Sequence, residues 1–155
     1  MEQDLFEYID GYRSSCKYHS QGNVNIILSA PHGGHLLPDD IPDRTEGICM
    51  PVTNSSKEER YKTSVIKDSA TIEFAENVAE ELVQRWNMKP FIVIGKWHRR
   101  KIDFNRDIRE GTLNHPEAII AYENYHSYLT DAIEQVNRLF NKGLLIDIHG
   151  HARGK

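Results

Sequence analysis

At 155 residues the chain has the length of one ordinary domain, enough to bury a core without disulfide or metal staples. With 39% apolar and 27% charged residues it is too apolar for a disordered chain, and its net charge of −4 leaves no basic field to neutralise a phosphate backbone, so no nucleic-acid partner is expected. No apolar run approaches the ~20 residues of a membrane span and the first eleven residues are acidic, so neither a membrane nor a secretory leader is expected and the expected compartment is the cytoplasm.

Residues 24–29 (VNIILS) are a short apolar run rich in β-branched side chains, stopped by Pro31 and Gly33-Gly34, and read as a buried strand entering a tight loop. Residues 36–63 carry three prolines, several acids and no apolar period, which predicts a long active-site loop that shapes specificity. From Ser69 to Trp86, Ile72, Ala75, Ala79, Leu82 and Trp86 recur in steps of three and four, one face of an amphipathic helix with Asp68 or Ser69 as its cap. Residues 91–94 (FIVI) predict a second buried strand. A second helix is expected to open at Pro116, to bury Tyr125, Leu129, Ala132, Val136 and Leu139, and to stop at Gly143. Residues 144–148 (LLIDI) then predict a third buried strand.

Strands alternating with helices predict one α/β layered domain over residues 1–155 with a largely parallel sheet, whose ligands gather at the carboxyl ends of the strands. Those ends carry His32 and His149, each beside glycine. Neutral imidazole is the commonest zinc ligand, and a catalytic zinc takes about three protein ligands and a water. His35, three positions after His32, and Asp68 are both candidates for the third place. Asp147, two residues before His149, is expected on the opposite side of the strand from it, in a structural or supporting role.

The two cysteines, Cys16 and Cys49, are far apart and in no CxxC arrangement, so neither a cysteine zinc site nor a disulfide framework is indicated. Arg99, Arg100, Asn105 and Arg106 follow the second strand. A guanidinium grips a carboxylate through two hydrogen bonds, so these residues suit a small-molecule substrate with an anionic end, although Asp103 and Asp107 could instead pair with them as a solvated basic loop. His126 lies one helical turn from Tyr122, where it is either part of a core stripe or a donor to substrate.

In this order, Ser-Ala-Pro-His-Gly-Gly at 29–34, the helix start at Asp68, Asp-Phe-Asn-Arg at 103–106, the segment from Tyr122 to His126 and Asp-Ile-His at 147–149 resemble the N-formylglutamate amidohydrolase family. The resemblance runs from Val24 to His151. It implies a three-layer α/β sandwich with a largely parallel or mixed sheet, phosphorylase/hydrolase-like and similar to zinc carboxypeptidases and aspartoacylases. It also implies zinc on His32 and His149 with an acidic third ligand, a carboxylate gripped by Asn105 and Arg106 with help from Arg99 and Arg100, and catalytic roles for Arg106 and His126. The implied reaction is hydrolysis of an amide bond in an N-acyl amino acid or peptide end. Two departures follow: His35 stands where similar carboxypeptidases carry a glutamate three after the histidine, and Gly150 stands where a serine often follows the last histidine. Similar carboxypeptidases also take their catalytic glutamate from a segment after that histidine, and none occurs in residues 150–155. The expectation is therefore a domain lacking its C-terminal part or, alternatively, a non-catalytic metal- or ligand-binding pseudoenzyme.

Overall fold

The structure, a computed structural model, describes residues 4–44 and 64–151. In chain order these form β1 (Ile9–Asp10), a 3-10 turn (Tyr12–Ser14), β2 (Cys16–His19), β3 (Ile26–Ala30), α1 (Thr71–Trp86), β4 (Phe91–Gly95), α2 (Ile108–Thr112), α3 (Pro116–Phe140) and β5 (Leu144–Asp147). The sheet order is β1-β2-β4-β3-β5. β3 lies between β4 and β5 and is parallel to both, with Leu28 opposite Ile92 on one side and Ile146 on the other. β1 and β2 are antiparallel additions on the β4 edge, so the sheet is mixed.

A strand with apolar residues on both faces needs cover on both, and β3 and β4 have it. Leu28, Ala30, Ile92 and Ile94 pack with Ala75 and Ala79 of α1, and Ile148 joins them. Ile27, Phe91 and Val93 face the opposite way and pack with Ala118, Tyr125, Ala132 and Val136 of α3. Alanines at the contact let both helices approach the sheet closely. The result is a helix, sheet and helix arrangement, the α/β class the alternating pattern predicts.

Several details differ from the sequence reading. α1 is not capped by Asp68 or Ser69: its first flanking residue is Ala70, in the left-handed region at φ 63°, with no side-chain cap. Trp86 and Leu139, each in the last turn of its helix, are exposed. α3 ends at Phe140 with Asn141 at φ 67°, two residues before Gly143. Gly143 serves packing instead, since a Cβ there would sit 2.5 Å from Val136 Cγ1. The predicted third strand is flanked by β3 on one side only: Leu144–Asp147 are exposed, and of the predicted run only Ile148 is buried. β1, β2 and α2 are additional elements. Of the predicted 36–63 loop, residues 45–63 lie outside the described residues; Leu36 forms a parallel bridge with Trp97. None of the described helices is long and apolar enough to cross a membrane.

Cys16 is fully buried in the α3-facing core, and burial pushes its thiol up from an ordinary value near 9 to about 12. The neutral thiol is the favoured form in the fold, so its contribution to stability holds below the unfolded pKa and is lost as pH rises towards 12. Peptide mapping after iodoacetamide treatment of the native protein at pH ~8 should find Cys16 unmodified, and labelled only once denaturant is present.

Candidate metal centre

The site lies where β3, β4 and β5 end. Pro31 stops β3, and the next residue, His32, is buried at the sheet rim. Its backbone carbonyl accepts from the Asp68 N–H at 2.9 Å, which ties the approach to α1 onto the end of β3. Gly33 makes this possible: a Cβ there would lie 2.4 Å from Thr71 Oγ1. The Thr71 hydroxyl donates to the Asp68 carbonyl at 3.0 Å. With the helix start held by backbone and hydroxyl, the Asp68 carboxylate is not used as a cap and turns towards the imidazoles.

Both imidazoles present Nδ1 to this carboxylate. Asp68 Oδ2 is 3.4 Å from His32 Nδ1 and 3.3 Å from His149 Nδ1, and the two rings stand 5.0 Å apart between centroids. The opposite nitrogens are each held by another carboxylate. His32 Nε2 donates to Asp103 Oδ1 at 2.6 Å and His149 Nε2 to Asp147 Oδ2 at 2.8 Å. A neutral imidazole that donates from Nε2 to its carboxylate presents its Nδ1 lone pair on the Asp68 side, the arrangement a metal-ligating histidine needs. His32 Nδ1 is buried and has no hydrogen-bond partner.

A buried nitrogen lone pair without a donor is costly unless something cationic meets it. His32, Asp68 and His149 together form a group that could hold a metal ion, their ligand atoms lying within 4.8 Å of one another. Bonds of about 2.0–2.1 Å at a tetrahedral angle place neighbouring ligand atoms about 3.3–3.4 Å apart, which the two separations from Asp68 match. A carboxylate on the far nitrogen of each histidine is the support that metal-ligating histidines usually have.

Of the two candidates for the third place, Asp68 is in the group and His35 is not. Leu36 N–H donates to the Lys96 carbonyl and the Leu36 carbonyl accepts from His98, so the chain runs on beside β4 and His35 is exposed. Asp147 is on the same side as His149, as residues two apart along an extended chain are, and not opposite it. Its supporting role stands on the hydrogen bond to His149 and on a second one accepted from the Ser29 hydroxyl.

The residues after β4 divide. Arg99 is buried, donates from Nε to Asp103 Oδ2 at 2.9 Å, and has Nη1 3.8 Å from Asp68 Oδ1. It is committed to the carboxylates of the site. Arg100 is exposed, and its charge acts on Asp43 and His98. Asn105 places its side-chain amide 3.3 Å from His149 Nε2. Arg106 is exposed, with Nε 3.9 Å from Asp103 Oδ2, and its guanidinium faces solvent at the rim. His126 does not reach the imidazoles: its Nε2 donates to the Phe104 carbonyl at 2.8 Å, while Tyr122 donates to the Arg106 carbonyl at 2.6 Å. The stripe predicted on α3 therefore carries the loop that presents Asn105 and Arg106.

Asp103 is the residue the sequence reading undervalued, treating it only as a counter-ion for the basic loop. It is completely buried and accepts from His32, Arg99 and the Asn105 N–H. Burial works to raise its pKa, but the hydrogen bond from His32 and the charge of Arg99 outweigh it and hold the group well below the usual carboxylate range. Arg44, also missed, is buried with Nε on the Glu110 carbonyl, Nη1 on the Arg99 carbonyl and Nη1 3.9 Å from Asp103 Oδ2. Its only sequence signal is one arginine inside a predicted loop.

Asp68 and Gly150 open onto a cleft of about 390 Å³ that Lys67 and Arg99 also line. Comparison with family models, curated proteins and solved structures yields no match.

Replacing His126 with Phe keeps the ring and removes the donor to the Phe104 carbonyl. The expected loss of stability is about 1–3 kcal/mol, the cost of a buried carbonyl left unsatisfied, read from urea denaturation curves against wild type.

Proposed function

We propose that this chain carries the metal site of an amidohydrolase, resembling the N-formylglutamate amidohydrolases and built on a sandwich of the zinc carboxypeptidase kind. The observation that carries the reading is the convergence of His32 Nδ1, Asp68 Oδ2 and His149 Nδ1, with a carboxylate behind each imidazole. The substrate class is an N-acyl amino acid or peptide end with a free carboxylate.

His32, Asp68 and His149 would hold the cation, with zinc favoured by two imidazoles and one carboxylate. When bound, such an ion supplies a Lewis acid that polarises the scissile carbonyl and makes water nucleophilic near neutral pH. The chain's own residues do the rest. Asp103 and Asp147 keep both imidazoles in the tautomer that offers Nδ1. Arg106, exposed at the rim, offers its guanidinium to the substrate carboxylate, and Asn105 offers its amide between that position and His149. His126 and Tyr122 position this pair by bonding the carbonyls on either side of it.

A non-catalytic metal- or ligand-binding role is the second reading, and one observation favours it. Each carboxylate that touches the imidazoles is already engaged: Asp68 between the two rings, Asp103 with His32 and Arg99, Asp147 with His149 and Ser29. None of these three is left as a general base.

Calorimetric titration of metal-free protein with zinc should show binding of about one equivalent, weakened roughly 100-fold or more by Asp68→Ala or His149→Ala and about 10–100-fold by Asp103→Asn. Formyl- and acyl-amino acids should be hydrolysed, with activity lost to chelator and KM raised by Arg106→Ala. Turnover indifferent to chelator rejects the metal-dependent reaction. Metal binding without turnover selects the non-catalytic reading.

A further inference from the structure

The carboxylates behind the two imidazoles are held very differently. Asp103, behind His32, is completely buried and has donors on both oxygens: Oδ1 accepts from the Asn105 N–H as well as from His32, and Oδ2 accepts from Arg99. Asp147, behind His149, has a side chain 35% exposed, and among the described residues no lysine or arginine pairs with it. Its Oδ2 accepts from His149 Nε2. For Oδ1 the one donor among the described residues is the Ser29 hydroxyl.

That contact is built into the sheet. Ser29 of β3 is the register partner of Asp147 of β5. Side chains alternate along a strand, so Ser29 shares the α3 side with Ile27, and Asp147 shares it with His149, while Ile148 between them packs on the α1 side. Ser29 is buried on that face, where a hydroxyl adds little apolar packing. What it adds is direction. The last torsion of an aspartate is broad, and a partly solvated carboxylate that loses its fixed donor is free to turn and take water in place of the imidazole.

We propose that Ser29 is a positioning residue of the metal site: by holding Asp147 Oδ1 it turns Oδ2 onto His149 Nε2, and so aims His149 Nδ1 at the place between His32 and Asp68. Ser29 does for His149 what Arg99 and the Asn105 N–H do for His32. It also stands three residues before His32, so the end of β3 leads into one ligand directly and orients the other across the sheet. The inference rests on the proposed metal site and extends it to a residue that the cation would not touch.

Calorimetric titration of the metal-free full chain with zinc separates this role from one of merely joining β3 to β5. Ser29→Ala should weaken zinc about tenfold, the low end of the range for losing a group behind a metal-ligating histidine, with unchanged far-ultraviolet circular dichroism. A second pair makes the test independent of packing. Ser29→Thr and Ser29→Val have the same branched shape and differ in the hydroxyl, and the threonine variant should bind zinc about tenfold more tightly than the valine variant. In an Asp147→Ala background, with no carboxylate left to orient, Ser29→Ala should change the zinc affinity no further. Equal affinities of the threonine and valine variants overturn the proposal. So does a Ser29→Ala loss that is undiminished in the Asp147→Ala background, because the hydroxyl would then act through the sheet and not through the carboxylate. Wild-type protein that takes up no zinc rejects the metal site and the role of Ser29 with it, whereas zinc binding that Ser29→Ala leaves unchanged rejects the role of Ser29 alone.

Discussion

The buried carboxylate of Asp103 holds the site together, and most of the local structure exists to satisfy it. It has no exposure to water, so its charge is tolerable only because three donors converge on it: the His32 ring, the Arg99 guanidinium and the Asn105 N–H. Each of those donors belongs to a different part of the rim. His32 follows β3, Arg99 follows β4, and Asn105 opens the stretch that leads to α2. One negative charge thereby fixes the relative positions of a candidate ligand, a buried cation and a candidate substrate-binding residue. Removing it would strand an imidazole donor and a guanidinium in a dry setting, a costlier change than losing one ordinary hydrogen bond.

The same economy of contacts appears at the other two ligands. Asp68 is available because the start of α1 is stabilised by other means: Ala70 takes the left-handed conformation, the Asp68 N–H bonds His32 and the Thr71 hydroxyl returns to the Asp68 carbonyl. A carboxylate used as a helix cap points at backbone N–H groups, whereas this one points at two imidazoles. His149 is placed by β5, whose parallel pairing with β3 brings Asp147 beside Ser29 and the following residues beside the end of β3. The site is thus a product of strand register. Shifting β5 by one residue along β3 would separate the Asp147 carboxylate from Ser29 and draw His149 away from Asp68.

Much of this was open to reading in the chain itself. β3, β4 and β5 are continuous apolar runs that only a strand or a short buried helix could use, and the flanking Pro, Gly and polar residues bounded them within a residue or two. The apolar residues of α1 and α3 at three- and four-residue spacing marked the faces that pack on the sheet, among them Ala75, Ala79, Tyr125, Ala132 and Val136. His32 and His149 were identified as ends of parallel strands, so their meeting follows from topology. By contrast, β2 consists of Cys-Lys-Tyr-His, too short and too polar for its alternation to stand out, and β1 is only two residues. Their positions depend on pairing with β4, a contact between residues far apart in sequence.

What the chain determined by itself is the set of elements with strong periodicity and the chemical types at the strand ends, because both are local properties of neighbouring residues. Tertiary structure alone decided which residue joined the two imidazoles. Asp68 and His35 were equal candidates by type and spacing, and the bridge from Leu36 to Trp97 carried one away while the bond between the backbones of His32 and Asp68 brought the other in. Tertiary structure also turned Asp103 from a loop counter-ion into a buried hub, and turned His126 from a candidate donor to substrate into a support for the Phe104 carbonyl. Those outcomes depend on burial and on direction in three dimensions, which residue identity and spacing do not encode.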